Sequence, residues 1–542
     1  MANEELAGLF YEIADLLDLE GVPFRPEAYR RAARALEQEP EDLEMLRKQG
    51  RLKDVKGLGE ALTKKVEEYL ESGKVSYLEK LRTQHPAGVL DLLRLEGVGP
   101  KTAGRLMVEF GVQSVEDLKK AIMEGRLRDQ KGFGEKRIAA LLEAAQGAGL
   151  AHLRLPLPKA QLIADGLIAD LQKRCAHLQR ISYAGSLRRR RETVGDLDIV
   201  TSSARPSELI EAFTSHPSVK TVRLKGDTKS TVVLDSGLQV DLRVVPNENY
   251  GAALQYFTGS KDHNVRLRSM ALQKGFSINE YGISRNGQLT PISEEEGIYG
   301  ALGLPLIPPE LREDRGEVDA ALAKSLPPRP SLGSLRGEIH IHLNPSAGVE
   351  MLAKWIEALA NKGFAYGGFV FPGTDRSFPA VPSIPKGVRI LRGAEVPSPW
   401  VTVGEIDWKE REYALLLPPP RGAYDEKALG DALHELSRRG RPAILAHLET
   451  RAPSETPPPF ELLAKLGGAL EVGITSEGVT LESTLVRKAV SLHVPLSVSS
   501  RPERTEDLGR LGLALDFAVR GWAKESDLFR LEGTPAPLVR AA

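Results

Sequence analysis

The chain has 542 residues, 27% of them charged and 41% hydrophobic, with a formal net charge of −1. That length exceeds what one hydrophobic core can serve and predicts three to five domains. The near-neutral balance excludes a uniformly basic surface as the means of holding nucleic acid, and the single cysteine, Cys175, excludes an intrachain disulfide framework and a zinc site built on cysteines. No run of about 18 apolar residues suggests a membrane span. Residues Met1 to Glu5 lack the basic start and apolar core of a signal peptide, so a cytoplasmic protein without a membrane partner is expected.

In chain order, residues 1–150 carry short apolar stripes of helical period broken by glycines. Three of these breaks share a Gly-apolar-Gly core: Gly57-Leu58-Gly59, Gly97-Val98-Gly99 and Gly132-Phe133-Gly134. Each precedes a helix-like run, over 60–70, 100–110 and 135–145. Glycines there permit a tight hairpin and close backbone approach to another molecule, and the following helix aims free N–H groups at an anion. The pattern resembles the helix-hairpin-helix motif, which holds a DNA phosphate backbone through main-chain amides without reading sequence. The copy with the fuller pattern runs Gly97-Val98-Gly99-Pro100-Lys101-Thr102-Ala103. Gly57, Gly59, Gly97, Gly99, Lys101, Gly132 and Gly134 are therefore the candidate DNA-binding residues here.

Residues 151 to about 260 alternate strands with helices, with strands expected over 181–184, 198–201, 231–234 and 240–245. Within them, Gly185-Ser186 opens a turn, four arginines (Arg188 to Arg191) follow, and Asp196-Leu197-Asp198 closes the motif. On a strand, residues i and i+2 share a face, so Asp196 and Asp198 can hold one pair of cations between them. Asp241 lies in a second strand-like run. Three carboxylates on adjacent strands, behind an arginine-rich Gly-Ser turn, suit metal-assisted attack on a nucleoside triphosphate. Residues 324–335 read as a proline-rich linker, and from 336 onward short apolar strands alternate with helices, predicting a β/α barrel.

The first 320 residues resemble family X DNA polymerases. The resemblance rests on Gly185-Ser186 through Asp198, on Val240-Asp241-Leu242-Arg243, on Tyr256-Phe257-Thr258-Gly259-Ser260 with Asn264, and on the run from Ala271 to Gly282. It implies a multidomain α+β and α/β architecture: a small lyase or gap-binding domain (1–85), helix-hairpin-helix fingers (86–150), a nucleotidyltransferase palm (151–260) and a thumb-like nucleotide-selecting domain (261–323). It further implies template-directed filling of short gaps in DNA repair by a monomer in the bacterial cytosol, with gapped or nicked duplex DNA and dNTPs as partners. Two Mg²⁺ or Mn²⁺ ions would sit on Asp196, Asp198 and Asp241. Ser186, Arg189 and Gly195 would hold the triphosphate. Tyr256, Phe257 and Gly259 would line the sugar, Asn264 would touch the base edge, and Arg268 would face the template. The family has a basic residue where this chain has Gln239, which puts the placement of Asp241 in question. Lys65 matches the family's Schiff-base lysine, and two readings stand: a lyase nucleophile acting on an abasic sugar, or a ligand for the 5′-phosphate of a gap. Tyr29 fits the same pattern.

Residues 336–542 resemble the polymerase-and-histidinol-phosphatase (PHP) domain, a distorted β/α barrel that binds up to three metals in that family. His340, His342, Glu395 and His447 match its ligands, and His340 and His342 fall on one face of a strand. The other ligand positions fall at Ser346-Ala347-Gly348, Phe369 to Gly373, Ala414 to Pro418 and Ser497 to Arg501, which lack ligating side chains of the expected kind. A degenerate barrel with at most one divalent metal is expected. The alternative is a residual 3′–5′ exonuclease or phosphoesterase.

Overall fold

In the computed structural model, which describes residues 2–531 apart from 39–42, 49, 56, 86–87, 94, 96, 129, 131, 148–153, 344–347, 371–387, 421 and 451–456, the chain divides into two units, 1–153 and 154–542. The first unit is helical and follows from its glycines. Gly57, Gly97 and Gly132 adopt φ of 101°, 82° and 86°, a region glycine enters without steric cost. Val98 and Phe133 then turn inward, while the second glycine of each turn stays exposed. Gly59 and Gly99 are the N-caps of the Glu60–Ser72 and Pro100–Phe110 helices, and no side chain caps either end. Gly134 accepts from the N–H groups of Arg137 and Ile138 at the start of the Glu135–Gly147 helix. Two cores hold these helices, one around Phe10, Leu17, Tyr29 and Val66, the other around Leu92, Leu106, Leu118 and Leu141.

The second unit opens on a five-stranded mixed sheet, ordered 178–183, 196–203, 239–244, 229–234, 219–225. The Asp196–Ser203 and Gln239–Val244 strands are parallel neighbours, with Asp198 opposite Asp241 and Asp196 opposite Gln239. Leu197, Ile199, Val240 and Leu242 face the Leu157–Arg174 and Pro206–Thr214 helices and form the core. On the opposite face Val200 packs against Tyr250, Ala253 and Leu254 of the Tyr250–Thr258 helix. That leaves the aspartate end of the face open. The Val219–Lys225 strand was not expected from the sequence. It is an edge strand in which Lys220, Arg223 and Lys225 interrupt the apolar residues while Val222 and Leu224 are exposed, so no alternation of burial marks it; its charges suit an edge.

A three-stranded antiparallel meander (277–279, 282–285, 288–290) and the Glu295–Ala301 and Glu317–Leu322 helices follow, with their own core around Phe276, Ile298, Tyr299 and Val318. The 324–335 stretch has no strand or α-helix, but it is docked rather than free: Arg329 pairs with Glu310 at 3.1 Å and with Asp516, and Leu335 is buried. Seven parallel strands in sequence order, from Gly337–His342 to Leu496–Ser499, then form a sheet alternating with helices. Its first and last strands meet where Glu338 accepts from Ser499 Oγ, Ser500 N and Ser500 Oγ, each at 2.7 Å, nearly closing a barrel. The barrel and the five-stranded sheet share one continuous apolar core. Among the described residues no helix is long and apolar enough to cross a membrane.

Candidate active site

Strand pairing puts Asp196, Asp198 and Asp241 on one open face of the five-stranded sheet. Burial, and then repulsion from Asp196 and Asp241, pushes the Asp198 carboxyl up to about 7. Burial and Asp241 raise Asp196 in the same direction. Crowded carboxylates with raised pKa values are the setting a divalent cation stabilises. The turn that backs them is shaped to fit. Gly185 has φ of 55°, and a Cβ there would stand 2.2 Å from Asp198 Oδ2. Ala184 N donates to the Asp198 carbonyl at 2.7 Å, tying turn to strand.

The question raised by Gln239 has a structural answer. Lys229, on the neighbouring strand, places Nζ 3.3 Å from Asp241 Oδ2. Gln239 Nε2 donates to Asp241 Oδ1 at 3.4 Å and is itself held by Arg223 at 3.0 Å. The cation beside Asp241 thus comes from across the sheet, where sequence spacing within one strand gives no sign of it. Lys229→Met is expected to lower kcat/KM for primer extension about tenfold, the usual effect of removing a group that orients a metal ligand. Gln239→Arg in that background is expected to restore it to within about threefold. Steady-state kinetics on both variants, with gapped-DNA affinity as control, checks this.

Arg188, Arg189 and Arg190 are engaged with partners inside the protein, and Arg191 is the most exposed of the four. Arg188 makes a two-pronged pair with Glu295, at 2.9 and 2.8 Å, and donates to Thr258 Oγ1. Arg189 donates to Glu313 at 3.0 Å and to the Thr258 carbonyl at 2.5 Å. Arg190 donates to Asp516 at 3.0 and 2.8 Å. Arg191 lies 3.7 Å from Glu313. Ser186 and Gly195 flank this loop, and Arg154, a residue the sequence reading passed over, donates to Thr193 beside Gly195.

Tyr256 and Phe257 meet edge to face at 5.2 Å on the last turn of the Tyr250–Thr258 helix, and Arg243 lies 4.6 Å above the Phe257 ring. Gly259 follows with φ of 68°, and a Cβ there would stand 3.2 Å from Arg189 Nη1. Asn264 accepts from Gln255 Nε2 and donates to the Tyr256 carbonyl, both at 2.8 Å, so its amide braces the aromatic pair. Arg268 is exposed one turn beyond Asn264 on the Lys261–Gln273 helix. In the helical unit, Lys65 Nζ lies 5.1 Å from the centre of the Tyr77 ring, which stacks on Tyr29. Burial raises Tyr29 to about 12.

The barrel brings together His340, His342, Glu395 and His447, whose ligand atoms all lie within 4.8 Å of one another. His342 Nε2 and His447 Nε2 stand 2.9 and 3.2 Å from Glu395 Oε1, and His340 Nε2 stands 2.9 Å from His342 Nε2. Among the described residues this quartet is the one group of three or more metal-ligating side chains that converges this closely. Burial and the neighbouring histidines hold His340 neutral, the form that ligates metal. Glu471, missed in the sequence, is hydrogen-bonded to His340 Nδ1 and accepts from His447 N at 3.2 Å, the arrangement that orients a ligating imidazole. A buried glutamate on a barrel strand carries no spacing signal that would have marked it.

The remaining positions serve other purposes. Ser499 and Ser500 satisfy Glu338. Ala414 to Leu416 are buried strand residues. Arg501 donates to His447 Nδ1 at 2.9 Å and pairs with Glu449, so an arginine supplies positive charge next to the quartet. Ser346, Ala347 and Phe371 to Gly373 lie outside the described residues.

A mixed sheet with three facing carboxylates, a Gly-Ser turn behind them and an aromatic-ended helix beside them is the arrangement expected of a nucleotidyltransferase unit. Residues 253–313 match the DNA polymerase beta thumb family, residues 1–75 a helix-hairpin-helix domain, and residues 89–146 a SAM-like helix-hairpin-helix tandem. The chain is 36% identical over 371 residues to the DNA polymerase/3′-5′ exonuclease PolX of Bacillus subtilis, an alignment covering 68% of this chain and 64% of that one. It is 28% identical over 297 residues to DNA polymerase lambda of Rattus norvegicus (48% of each chain), and 25% identical over 345 residues to DNA polymerase lambda of Arabidopsis thaliana (57% and 62%). The match thus spans between about half and just under two thirds of these relatives. The chain belongs to the family X DNA polymerases, with helix-hairpin-helix domains, a beta-type thumb and a C-terminal barrel.

Proposed function

We propose that this chain is a template-directed DNA polymerase that fills short gaps in DNA repair, acting as a cytoplasmic monomer on gapped or nicked duplex DNA with dNTPs. The convergence of Asp196, Asp198 and Asp241 on one face, against a turn where a Cβ at position 185 would collide with Asp198, carries this reading. Two Mg²⁺ or Mn²⁺ ions on these carboxylates would acidify the primer 3′-hydroxyl and neutralise the leaving pyrophosphate. Lys229 and Gln239 keep Asp241 oriented toward them. Ser186, Gly195 and Arg189 hold the triphosphate, for which Arg189 must exchange Glu313 for phosphate oxygens. Tyr256, Phe257 and Gly259 line the sugar, and Asn264 and Arg268 face the base pair and template. The exposed Gly57, Gly59, Gly97, Gly99, Lys101, Gly132 and Gly134 present main-chain N–H groups and one lysine to the DNA backbone. In this reading the domains are 1–85, 86–150, 151–260, 261–323 and 336–542, with 324–335 joining the last two.

The test is a gapped duplex with dNTPs and Mg²⁺ or Mn²⁺, following primer length. Extension supports the polymerase. Shortening that is lost in His340→Ala but kept in Asp198→Ala would replace it with a nuclease based on the barrel. The barrel quartet is suited to one divalent ion, through three imidazoles and one carboxylate.

A lyase reading rests on Lys65, whose Nζ lies over the Tyr77 ring, 5.1 Å from its centre. Lys65→Ala is expected to abolish borohydride trapping of an adduct on abasic DNA. Trapping that persists would leave Lys65 as a ligand for the 5′-phosphate.

A further inference from the structure

The triphosphate turn is held from outside its own sheet. Three barrel side chains reach residues 189–192, from more than 290 positions further along the chain. Arg520, on the Leu511–Arg520 helix, donates through Nη1 to the Arg189 carbonyl at 3.0 Å and to Glu313 Oε1 at 2.8 Å. That same Glu313 oxygen accepts from Arg189 Nε. Asp516, one turn earlier, takes the Arg190 guanidinium. Ser483, at the start of the Ser483–Ser491 helix, donates through N at 3.1 Å and Oγ at 2.5 Å to Glu192 Oε1.

Burial makes these contacts consequential. Arg520 is 5% exposed and pairs with Glu313 at 2.8 Å, with Glu192 at 3.8 Å. Although burial opposes it, Arg520 and Arg191 hold Glu192 down to about 2. A buried guanidinium with fixed partners is a rigid geometric constraint, not a screened surface pair. The continuous apolar core beneath leaves the barrel no freedom to slide against the sheet without breaking it.

We propose that the barrel acts as a clamp on the triphosphate turn, with Arg520 as its central positioning residue. The inference rests on the reading in which Arg189 and Ser186 hold the incoming triphosphate. Arg520 has two effects there. Its bond to the Arg189 carbonyl fixes the backbone from which the Arg189 side chain projects. By sharing Glu313, it also dilutes the hold of that carboxylate on the Arg189 guanidinium, so that phosphate oxygens can take it. The barrel therefore contributes to nucleotide binding whatever metal its own quartet holds.

Arg520→Met in the full chain is expected to raise KM for dNTP about tenfold while kcat changes less than about threefold and gapped-DNA affinity stays constant. Arg520→Lys, which keeps the charge and one bond, is expected to recover part of the loss. Adding Arg520→Met to an Arg189→Met background is expected to have no further effect on KM, because the route of action is already gone. Should Arg520→Met fold poorly, Ser483→Ala releases the other end of the turn at little structural cost, with KM rising about threefold. Unchanged KM for dNTP in folded Arg520→Met or in Ser483→Ala overturns the clamp, as does a full additive effect in the Arg189→Met background. A wild-type chain unable to extend a primer overturns the polymerase reading and the clamp with it, whereas wild-type extension with indifferent variants overturns the clamp alone.

Discussion

Asp198→Asn is expected to lower primer extension about a thousandfold or more while gapped-DNA affinity is retained. Asp198 sits directly opposite Asp241 and two residues from Asp196 on the same face, so it is the central carboxylate of the three. Asparagine keeps the shape and removes the charge. Metal-assisted stabilisation of the transferring phosphate contributes several kcal/mol, and each 1.36 kcal/mol is tenfold in rate. Single-turnover extension with saturating dNTP reads this loss directly, and DNA binding measured in parallel separates it from misfolding. A variant within tenfold of wild type would remove Asp198 from the centre of the reaction.

The same carboxylate makes a stability prediction with a definite sign. Burial and like charge raise its folded pKa from 3.8 to about 7. The folded protein therefore binds this proton more tightly than the unfolded chain does. Stability is greatest below the unfolded value and declines as pH rises from about 4 to about 7, by a few kcal/mol at most, on the order of three pKa units at 1.36 each. Added Mg²⁺ or Mn²⁺ offsets the exposed charge repulsion, so the melting temperature should respond to metal more strongly at pH 8 than at pH 5. Asp198→Asn should flatten both dependences.

Gly185→Ala is expected to lower extension about a hundredfold, with little effect on DNA affinity. The added methyl would stand 2.2 Å from Asp198 Oδ2 and 3.2 Å from its Cγ, so the carboxylate must move. The φ of 55° adds a penalty of about 1–2 kcal/mol for a residue with a Cβ. Displacing a catalytic group by about 1 Å can cost about a hundredfold even when the group is intact. This variant therefore tests geometry where Asp198→Asn tests charge. Activity close to wild type in Gly185→Ala would mean that the turn relaxes and does not position the carboxylate.

What could be read from the sequence follows from the range of each interaction. The helix-hairpin-helix turns were legible because three consecutive residues specify them: a glycine with positive φ, an apolar residue turned inward and a second glycine capping the next helix. The paired aspartates were legible because strand alternation is a two-residue rule. The barrel quartet was found residue by residue through resemblance, and its members do converge. Strand order was harder, and the Val219–Lys225 edge strand escaped because its charged positions hide its pairing.

The four arginines mark the limit most clearly. By sequence they form one basic run suited to phosphate. In the fold Arg188, Arg189 and Arg190 point to three different carboxylates, Glu295, Glu313 and Asp516, at separations of 107, 124 and 326 residues, and Arg191 shares Glu313. Lys229 and Glu471 became visible only when neighbouring strands placed them beside Asp241 and His340. The sequence by itself determined which chemical groups this protein gathers on the sheet and in the barrel and the local turns and strands that present them, because those depend on neighbours a few residues away. Only the tertiary structure decided which cation serves which anion, and that barrel side chains bond to residues 189–192, because a buried charge takes whichever partner packing brings within hydrogen-bond reach.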